Sequence, residues 1–196
     1  SADFGNSVTA TISRNGDLVH RMYLEHDVRV TASTNDAENA IMANYGSRLM
    51  KECELEIGGQ RIDKHYGHWH SVYSQLTEFN PSGSTGTLYN KMVGNGLGLN
   101  NSADSTEAVI APSWTTVDGE AITGKIWVPL LFWFCRNPGL ALPLIALQYH
   151  EVKVILEHQI TTVFAGTPVN KLWADYIYLD TDERRRFAQV SHEYLS

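Results

Sequence analysis

The chain has 196 residues, of which 43% are hydrophobic and 19% are charged, and its formal net charge is −7. This length suits one ordinary domain, and the balance of hydrophobic and charged residues excludes a disordered chain. The negative net charge argues against a broad nucleic-acid-binding face, so we expect no direct binding to nucleic acid.

An alternating run near the start of the chain predicts a β-hairpin. Apolar and polar residues alternate from Val8 to Ser13, and extended character resumes from Leu18 to Leu24. Asn15-Gly16 lies between the two runs and fits a two-residue turn in which both central residues need a positive φ. We therefore expect the two runs to pair with each other.

The next alternating run, Leu49 to Ile57, predicts a half-buried strand that turns at Gly58-Gly59. Its apolar residues occupy one face and three glutamates occupy the other. A cation site on the glutamates is conceivable, but a period of two is explained more simply by the solvated face of a strand. The three glutamates are Glu52, Glu54 and Glu56.

From Asp63 to Leu76 the apolar spacing changes to three or four, which predicts one short amphipathic helix capped by Asp63. His65, His68 and His70 of this segment form the only local cluster that resembles a metal site. On a helix, His70 lies about 200° around the axis from His68, so the three side chains cannot converge. We predict no metal site here.

The two cysteines, Cys53 and Cys135, have no second thiol nearby in sequence and no ligand spacing. The sequence predicts buried free thiols, which suits assembly in a reducing cytoplasm.

The segment from Asn80 to Gly124 is rich in Gly, Ser, Thr and Asn and predicts a long surface excursion with a short strand or helical turn inside it. It contains the sequon Asn100-Asn101-Ser102, so Asn100 is a candidate glycosylation site. Sequons are frequent by chance, and no signal peptide is visible in the sequence.

The stretch from Trp127 to Glu157 is dense in apolar residues, but prolines and turn residues interrupt it too often for a membrane helix. Three prolines each remove a backbone donor, and Arg136 to Gly139 places a charge and turn residues at the midpoint. We therefore predict buried strands and no transmembrane segment. The prolines are Pro129, Pro138 and Pro143.

Three further strands are predicted, at Lys125 to Cys135, Leu144 to Leu156 and Leu172 to Leu179. The last of these has apolar residues on both sides, which indicates contact on both faces, between two sheets or between subunits. One helix among many extended segments favours an all-β fold, a jelly-roll β-sandwich with one short helix and long loops.

The sequence offers no convergent catalytic group. It has no Gly-x-Ser-x-Gly nucleophile turn, and its glycine-rich loops lack the lysine of a phosphate-binding loop. Asp180, Asp182 and Glu183 stand beside three arginines, Arg184 to Arg186. A solvated junction between domains or an intersubunit ion-pair network explains this charge run better than an acid/base pair. We predict no catalytic residue and no cofactor.

Four blocks of the sequence resemble, in the same order, the major capsid proteins of nucleocytoplasmic large DNA viruses. Together they cover well over a third of the chain, with long matching strings. The blocks are ISRNGDLVHRMYL (Ile12 to Leu24), ELEIGGQRIDKHYG (Glu54 to Gly67), FWFCRNPGLALPLIALQYHEVK (Phe132 to Lys153) and LWADYIYLDTDERRRFAQVSHEYL (Leu172 to Leu195).

The resemblance implies a double jelly-roll capsid protein. Residues 1–180 would be the first jelly roll, apparently lacking its opening strand, and residues 181–196 would be a linker and the start of a second jelly roll. It further implies a homotrimeric, pseudo-hexagonal capsomer in an icosahedral shell, with neighbouring capsomers and minor capsid proteins as partners. The expected location is the virion, after assembly in the host cytoplasm.

A carbohydrate-binding jelly-roll module is the alternative. Its aromatic residues would stack on sugars, and Trp69, Trp114 and Trp173 are the candidates. An exposed aromatic platform on one sheet face would favour this alternative.

Overall fold

The computed structural model describes residues 7–31, 45–78, 88–94, 115–117, 121–159 and 169–189. Within these ranges the chain forms short helices and antiparallel strands. The strands are β1 Ser7–Thr11, β2 Leu18–Thr31, β3 Met50–Ile57, β4 Gln60–Tyr66, β5 Thr115–Val117, β6 Ala121–Pro129, β7 Leu142–Pro143, β8 Val152–His158 and β9 Asn170–Ile177. The helices are α1 Tyr45–Leu49, α2 Gly67–Thr77, α3 Leu88–Val93, α4 Trp133–Arg136 and α5 Thr181–Gln189, with a 3-10 turn at Pro138–Leu140.

The strands form two antiparallel sheets. Sheet 1 has the order β1-β8-β3-β4. In sheet 2, β2 pairs with β6 and β7 on one side and with β9 on the other, and β5 lies beyond β6. This is the predicted all-β sandwich. The described part contains five short helices where the sequence analysis expected one.

The core lies between the two sheets and is filled from both. Sheet 1 contributes alternate residues of β3 and β8, and sheet 2 contributes alternate residues of β2 and β6, as a period of two requires. Phe132 and Phe134, which follow β6, are fully buried and stack with their ring centroids 5.7 Å apart. The buried strand residues include Cys53, Leu55, Val154, Leu156, Met22, Leu24, Ile126 and Val128.

The predicted N-terminal hairpin is wrong. β1 pairs with β8 in sheet 1, whereas β2 pairs with β6, β7 and β9 in sheet 2. The segment between Thr11 and Leu18 therefore crosses from one sheet to the other, over the roughly 10 Å that separates packed sheets. Arg14 holds this crossing in place, because its guanidinium donates to the carbonyl oxygens of Leu147 at 2.8 Å and His150 at 2.9 Å.

The predicted helix from Asp63 to Leu76 begins too early. Gly58 and Gly59 have φ values of 60° and 85°, which gives a two-residue hairpin turn, and β4 pairs with β3 as far as Tyr66. Helix α2 starts at Gly67, so Asp63 lies in a strand and does not cap the helix.

The strand predicted from Lys125 to Cys135 ends at Pro129, and the chain then forms α4. The backbone of Leu130 still bonds to β2, donating to the Met22 carbonyl at 2.9 Å. The strand predicted from Leu144 to Leu156 is confirmed only from Val152, because the residues before it form turns.

Two further predictions meet the structure only in part. The excursion from Asn80 to Gly124 contains α3 and β5, a helical turn and a short strand, and its remaining residues lie largely outside the described ranges. Helix α5 occupies the beginning of the segment 181–196, where no helix was expected.

Among the described residues, no helix has the length and hydrophobicity needed to cross a membrane.

Candidate functional site

The outer face of sheet 1 is a ladder of ion pairs. Lys64 lies 2.6 Å from Glu52 and 3.2 Å from Glu54, and Arg61 lies 3.0 Å from Glu54. Lys51 pairs with Glu157 at 2.5 Å. The row of glutamates is thus the solvated face of a strand, as predicted, and its charges are matched by neighbouring cations.

The outer face of sheet 2 has a different character because its central carboxylate is buried. Glu25 of β2 is only 5% exposed. The indole N–H of Trp173 donates to its Oε2 at 2.5 Å, and Lys125 Nζ lies 2.9 Å from its Oε1. Lys171 Nζ lies 3.8 Å from the same oxygen. The hydrogen bond from Lys125 is the main cause that holds the pKa of Glu25 below its usual value, against the opposing effect of burial.

Two tryptophans lie on this face beside Glu25. Trp127 of β6 and Lys171 of β9 are the cross-strand partners of Glu25, and Trp173 is the partner of Tyr23 two residues away on β2. Residues two apart on a strand share a face, so both indoles lie on the same side of sheet 2. Trp127 is 38% exposed and Trp173 is 53% exposed. We call this surface, formed by Tyr23, Glu25, Trp127 and Trp173, the aromatic face.

The sequence analysis named Trp173 but missed Glu25 and Trp127. A glutamate in an alternating strand is normally solvated, and the second run of the predicted hairpin ends at Leu24, one residue before Glu25. Alternation through Lys125, Trp127 and Pro129 was the one available signal for Trp127.

A buried hydrogen-bonded network joins the two sheets at one end of the sandwich. His26 Nδ1 lies 2.6 Å from Asn170 Oδ1, and His26 Nε2 lies 2.7 Å from the Tyr45 hydroxyl. Asn170 Nδ2 lies 3.0 Å from Nε2 of His158 in sheet 1. One assignment satisfies every bond: His26 donates from Nδ1 and accepts at Nε2 from Tyr45, and Asn170 donates to His158. A neutral His26 fits this network, and burial lowers its pKa to about 4.

The three histidines considered for a metal site lie on two elements. His65 is in β4, whereas His68 and His70 are in α2. The His65 and His70 rings are buried and 5.2 Å apart, but His68 is exposed. Burial lowers the pKa of His65 to about 4 and that of His70 to about 3. No group of three or more histidine, cysteine, aspartate or glutamate side chains within the described ranges is placed to hold a metal.

Both cysteines are free thiols, as predicted. Cys53 is fully buried in β3, and Cys135 in α4 is partly buried. Burial raises the pKa of Cys135 to about 12 and also raises that of Cys53, so neither is an activated thiolate.

The charged run near the end of β9 serves local structure. Asp180 caps α5, because its Oδ1 accepts the Glu183 backbone N–H at 2.8 Å. Arg184 then forms an ion pair with Asp17 at 2.9 Å.

The remaining predicted site residues are the sugar-stacking and glycosylation candidates. Trp69 is half-buried against Tyr73, with ring centroids 5.8 Å apart. Asn100 and Trp114 lie outside the described residues.

The outer edge of β9 is open within the described part of the chain, because β9 pairs only with β2. Beside it, an apolar cleft opens between β9 and β1 of the opposite sheet. Its lining includes Val8, Ala10, Leu24, Val154, Leu156 and Leu172. A free edge next to an apolar cleft is a surface to which a further strand can add.

Comparison with known proteins identifies relatives along the whole chain. Residues 1–180 match the family described as major capsid protein N-terminus. The chain is 48% identical over 198 residues to a major capsid protein of Pyramimonas orientalis virus, covering 98% of this chain and 45% of that protein. It is 38% identical over 206 residues to a major capsid protein of Paramecium bursaria Chlorella virus 1, covering 100% of this chain and 41% of that protein. The chain thus spans less than half the length of these relatives.

Solved structures agree with the sequence matches. The VP54 protein of PBCV-1, in a crystal structure fitted into a reconstruction of the virophage Sputnik, superposes with a TM-score of 0.71 at 36% identity, covering 99% of this chain and 43% of that one. The Faustovirus major capsid protein matches with a TM-score of 0.54 at 13% identity, covering 95% of this chain and 54% of that one, which indicates a shared fold.

Proposed function

The chain belongs to the major capsid protein family of nucleocytoplasmic large DNA viruses, and from this premise we propose that it forms part of the shell of an icosahedral virus particle. The family match along residues 1–180 is the observation that carries this proposal. The role is structural rather than catalytic. A rigid two-sheet sandwich fixes the shape of the subunit, and its faces and edges make the contacts on which a shell depends.

The proposed assembly is a homotrimer. Two jelly rolls in tandem form one subunit, and three subunits give a pseudo-hexagonal capsomer that contacts neighbouring capsomers and minor capsid proteins. Assembly takes place in the host cytoplasm, which agrees with two thiols that remain free.

Native mass spectrometry of the protein isolated from its natural source tests this assembly. We expect three copies of a chain far longer than 196 residues, because the relatives are more than twice the length of this sequence. A monomer of 21.9 kDa, the mass of these 196 residues, would contradict both the tandem subunit and the trimer.

We propose that residues 1–180 are the first jelly roll and that a strand outside this sequence completes sheet 2 at β9. The open edge of β9 and the apolar cleft beside it support this division. A strand added there would pair the backbone groups of β9 that have no strand partner among the described residues, and it would cover the apolar cleft. Residues 181–196, with α5 at their start, would then link the first jelly roll to the second.

Two proteins, expressed side by side, test the missing strand. Residues 1–196 alone should be insoluble or melt without a sharp transition, because an open edge and an uncovered cleft favour aggregation. Residues 1–196 preceded by the natural upstream segment should be soluble and melt cooperatively. A sharp cooperative melt of residues 1–196, unchanged by the upstream segment, would show that no strand is missing.

A further inference from the structure

We infer that the aromatic face of sheet 2 is the surface on which the second jelly roll of the same subunit packs. This inference rests on the proposed function and adds to it the identity of the contact surface. The second jelly roll would present a largely apolar patch to Trp127 and Trp173. Its own acidic side chains would lie opposite Lys125 and Lys171.

The outer faces of the two sheets differ in a way that selects sheet 2. Docking on sheet 1 would strip water from an ion-pair ladder that includes Lys51, Lys64 and Glu157. Desolvating such charges costs more than their mutual attraction returns unless the new geometry is nearly ideal. Sheet 2 instead offers two partly exposed tryptophans, the residue type that contributes most strongly at protein interfaces.

Two polar groups of the aromatic face, the Glu25 carboxylate and the Trp173 indole N–H, are already paired with each other, so a neighbour can cover them at low cost. The indole N–H of Trp173 would lose its water on docking, but it is bonded to Glu25. Glu25 is itself almost fully buried and is matched by Lys125. Covering Trp173 and Glu25 therefore leaves neither the indole N–H nor the carboxylate unpaired, which avoids the usual penalty for burying polar groups.

The rim of the aromatic face is charged, which is also typical of an interface. Lys125 and Lys171 have side chains that are 45% and 57% exposed. Asp27 of β2 is the cross-strand partner of Lys125, and Asp175 lies two residues beyond Trp173 on β9. A core of aromatic side chains inside a rim of exposed charges is the usual anatomy of a protein–protein contact.

The course of the chain favours a second jelly roll as the occupant. The polypeptide leaves β9, the strand that carries Trp173, and enters α5 only four residues after Ile177. The sequence covers 45% and 41% of two relatives, so more than half of such a protein is available to pack nearby.

Hydroxyl-radical footprinting of the full-length protein in its native assembly tests the inference, with mass spectrometry to locate oxidised side chains. Trp127 and Trp173 should be protected from oxidation in the native assembly and should lose that protection in urea. Tyr66 and Tyr149, which are 53% and 86% exposed, are the internal controls and should be oxidised in both conditions.

A pair of substitutions in the full-length protein supplies the energetic test. Trp127→Glu should lower the melting temperature of the assembly or dissociate it, whereas Tyr66→Glu on sheet 1 should leave it unchanged.

If the wild-type protein is a trimer but both tryptophans oxidise as readily as Tyr66, the inference is wrong while the capsomer remains. If the tryptophans become protected only when an oligosaccharide is added, the aromatic face is a carbohydrate site and the inference is equally wrong. A wild-type monomer would instead refute the proposed function.

Discussion

The free energy of unfolding of this domain is expected to fall by several kcal/mol as the pH is lowered from about 6.5 to about 4.5, because of three buried histidines. Burial lowers the pKa of His26 and His65 to about 4 and that of His70 to about 3. An unfolded histidine titrates near pH 6.5, so between these values the unfolded chain binds protons that the folded chain does not. Stability is therefore full above about pH 6.5 and is lost on acidification, on the order of 2–3 kcal/mol for each histidine at pH 4.5.

The surroundings of His65 and His70 explain why protonation is so unfavourable. All four ring nitrogens of the pair lack a hydrogen-bond partner among the described residues. The His65 ring packs edge-on against Phe132, with centroids 4.7 Å apart. The positive charge of Arg136 further lowers the pKa of His65. Cys53, the cross-strand partner of His65, is a neutral thiol that cannot balance a proton. A charge placed on either ring would have no hydrogen-bond acceptor among the described residues.

Thermal unfolding of the full-length protein between pH 7.5 and pH 5 measures this effect. Over this range the carboxylates with lowered pKa values, Asp17, Glu25 and Glu54, are mostly ionised in both folded and unfolded states, so most of their contribution is lost only at lower pH. His70→Leu should flatten the dependence of the melting temperature on pH, and the exposed His68→Gln should not. Equal slopes for wild type, H70L and H68Q would contradict this account.

Replacing Gly67 with alanine should destabilise the protein by about 2–4 kcal/mol. Gly67 is the first residue of α2, and a Cβ at this position would overlap the backbone carbonyl oxygens of Ser47 and Met50. Backbone atoms cannot rotate aside as a side chain can, so the helix would have to move away from α1 and β3. That movement would open the packing around His70 and Ser74, which α2 buries.

Gly139→Ala is the matched control for this prediction. Gly139 is exposed in the 3-10 turn, and the nearest atom to an added Cβ is the Asn137 side-chain oxygen at 3.4 Å, an ordinary contact. The same substitution there should change stability by less than about 0.5 kcal/mol. Urea unfolding followed by circular dichroism measures both variants, and a G67A protein as stable as G139A would show that α2 does not approach the backbone of β3 this closely.

Strands that alternate strictly could be predicted from the sequence, because the period of two reports burial on one side. Val152, Val154 and Leu156 face the core as predicted, and Glu52 and Glu54 face solvent. The boundaries were less accurate where a segment changes type without a change in hydrophobicity. Pro129 ends β6 inside an apolar run that continues into α4 and the core.

Partner strands could not be predicted from local turn chemistry. Asn15-Gly16 indicates a turn, but it does not determine which sheet receives the strand that follows. Here the core between the sheets decides, because Val19, Met22 and Leu24 of β2 are buried there opposite sheet 1. The same limit applied to the start of α2, since pairing of β4 with β3 overrode the helical spacing near Asp63.

The aromatic face could not be found from the sequence because its contacts are distant along the chain. Glu25 and Trp173 are 148 residues apart, and only the pairing of β9 with β2 brings them together. The contact between His65 and His70 arises likewise from the junction of β4 and α2, whereas the sequence placed both residues on one helix. The identity of the family, by contrast, was recognisable from four blocks of sequence and agrees with the match along residues 1–180.

A cryo-EM reconstruction of the virus particles, at a resolution that shows side chains, would test the proposed capsomer. We predict a shell of pseudo-hexagonal capsomers, each with three copies of a two-jelly-roll subunit. Residues 1–180 should trace the first jelly roll, with an added strand at β9 and with Trp127 and Trp173 covered by the neighbouring jelly roll. A shell whose capsomers are built from a different polypeptide, with no density that fits this sandwich, would contradict it.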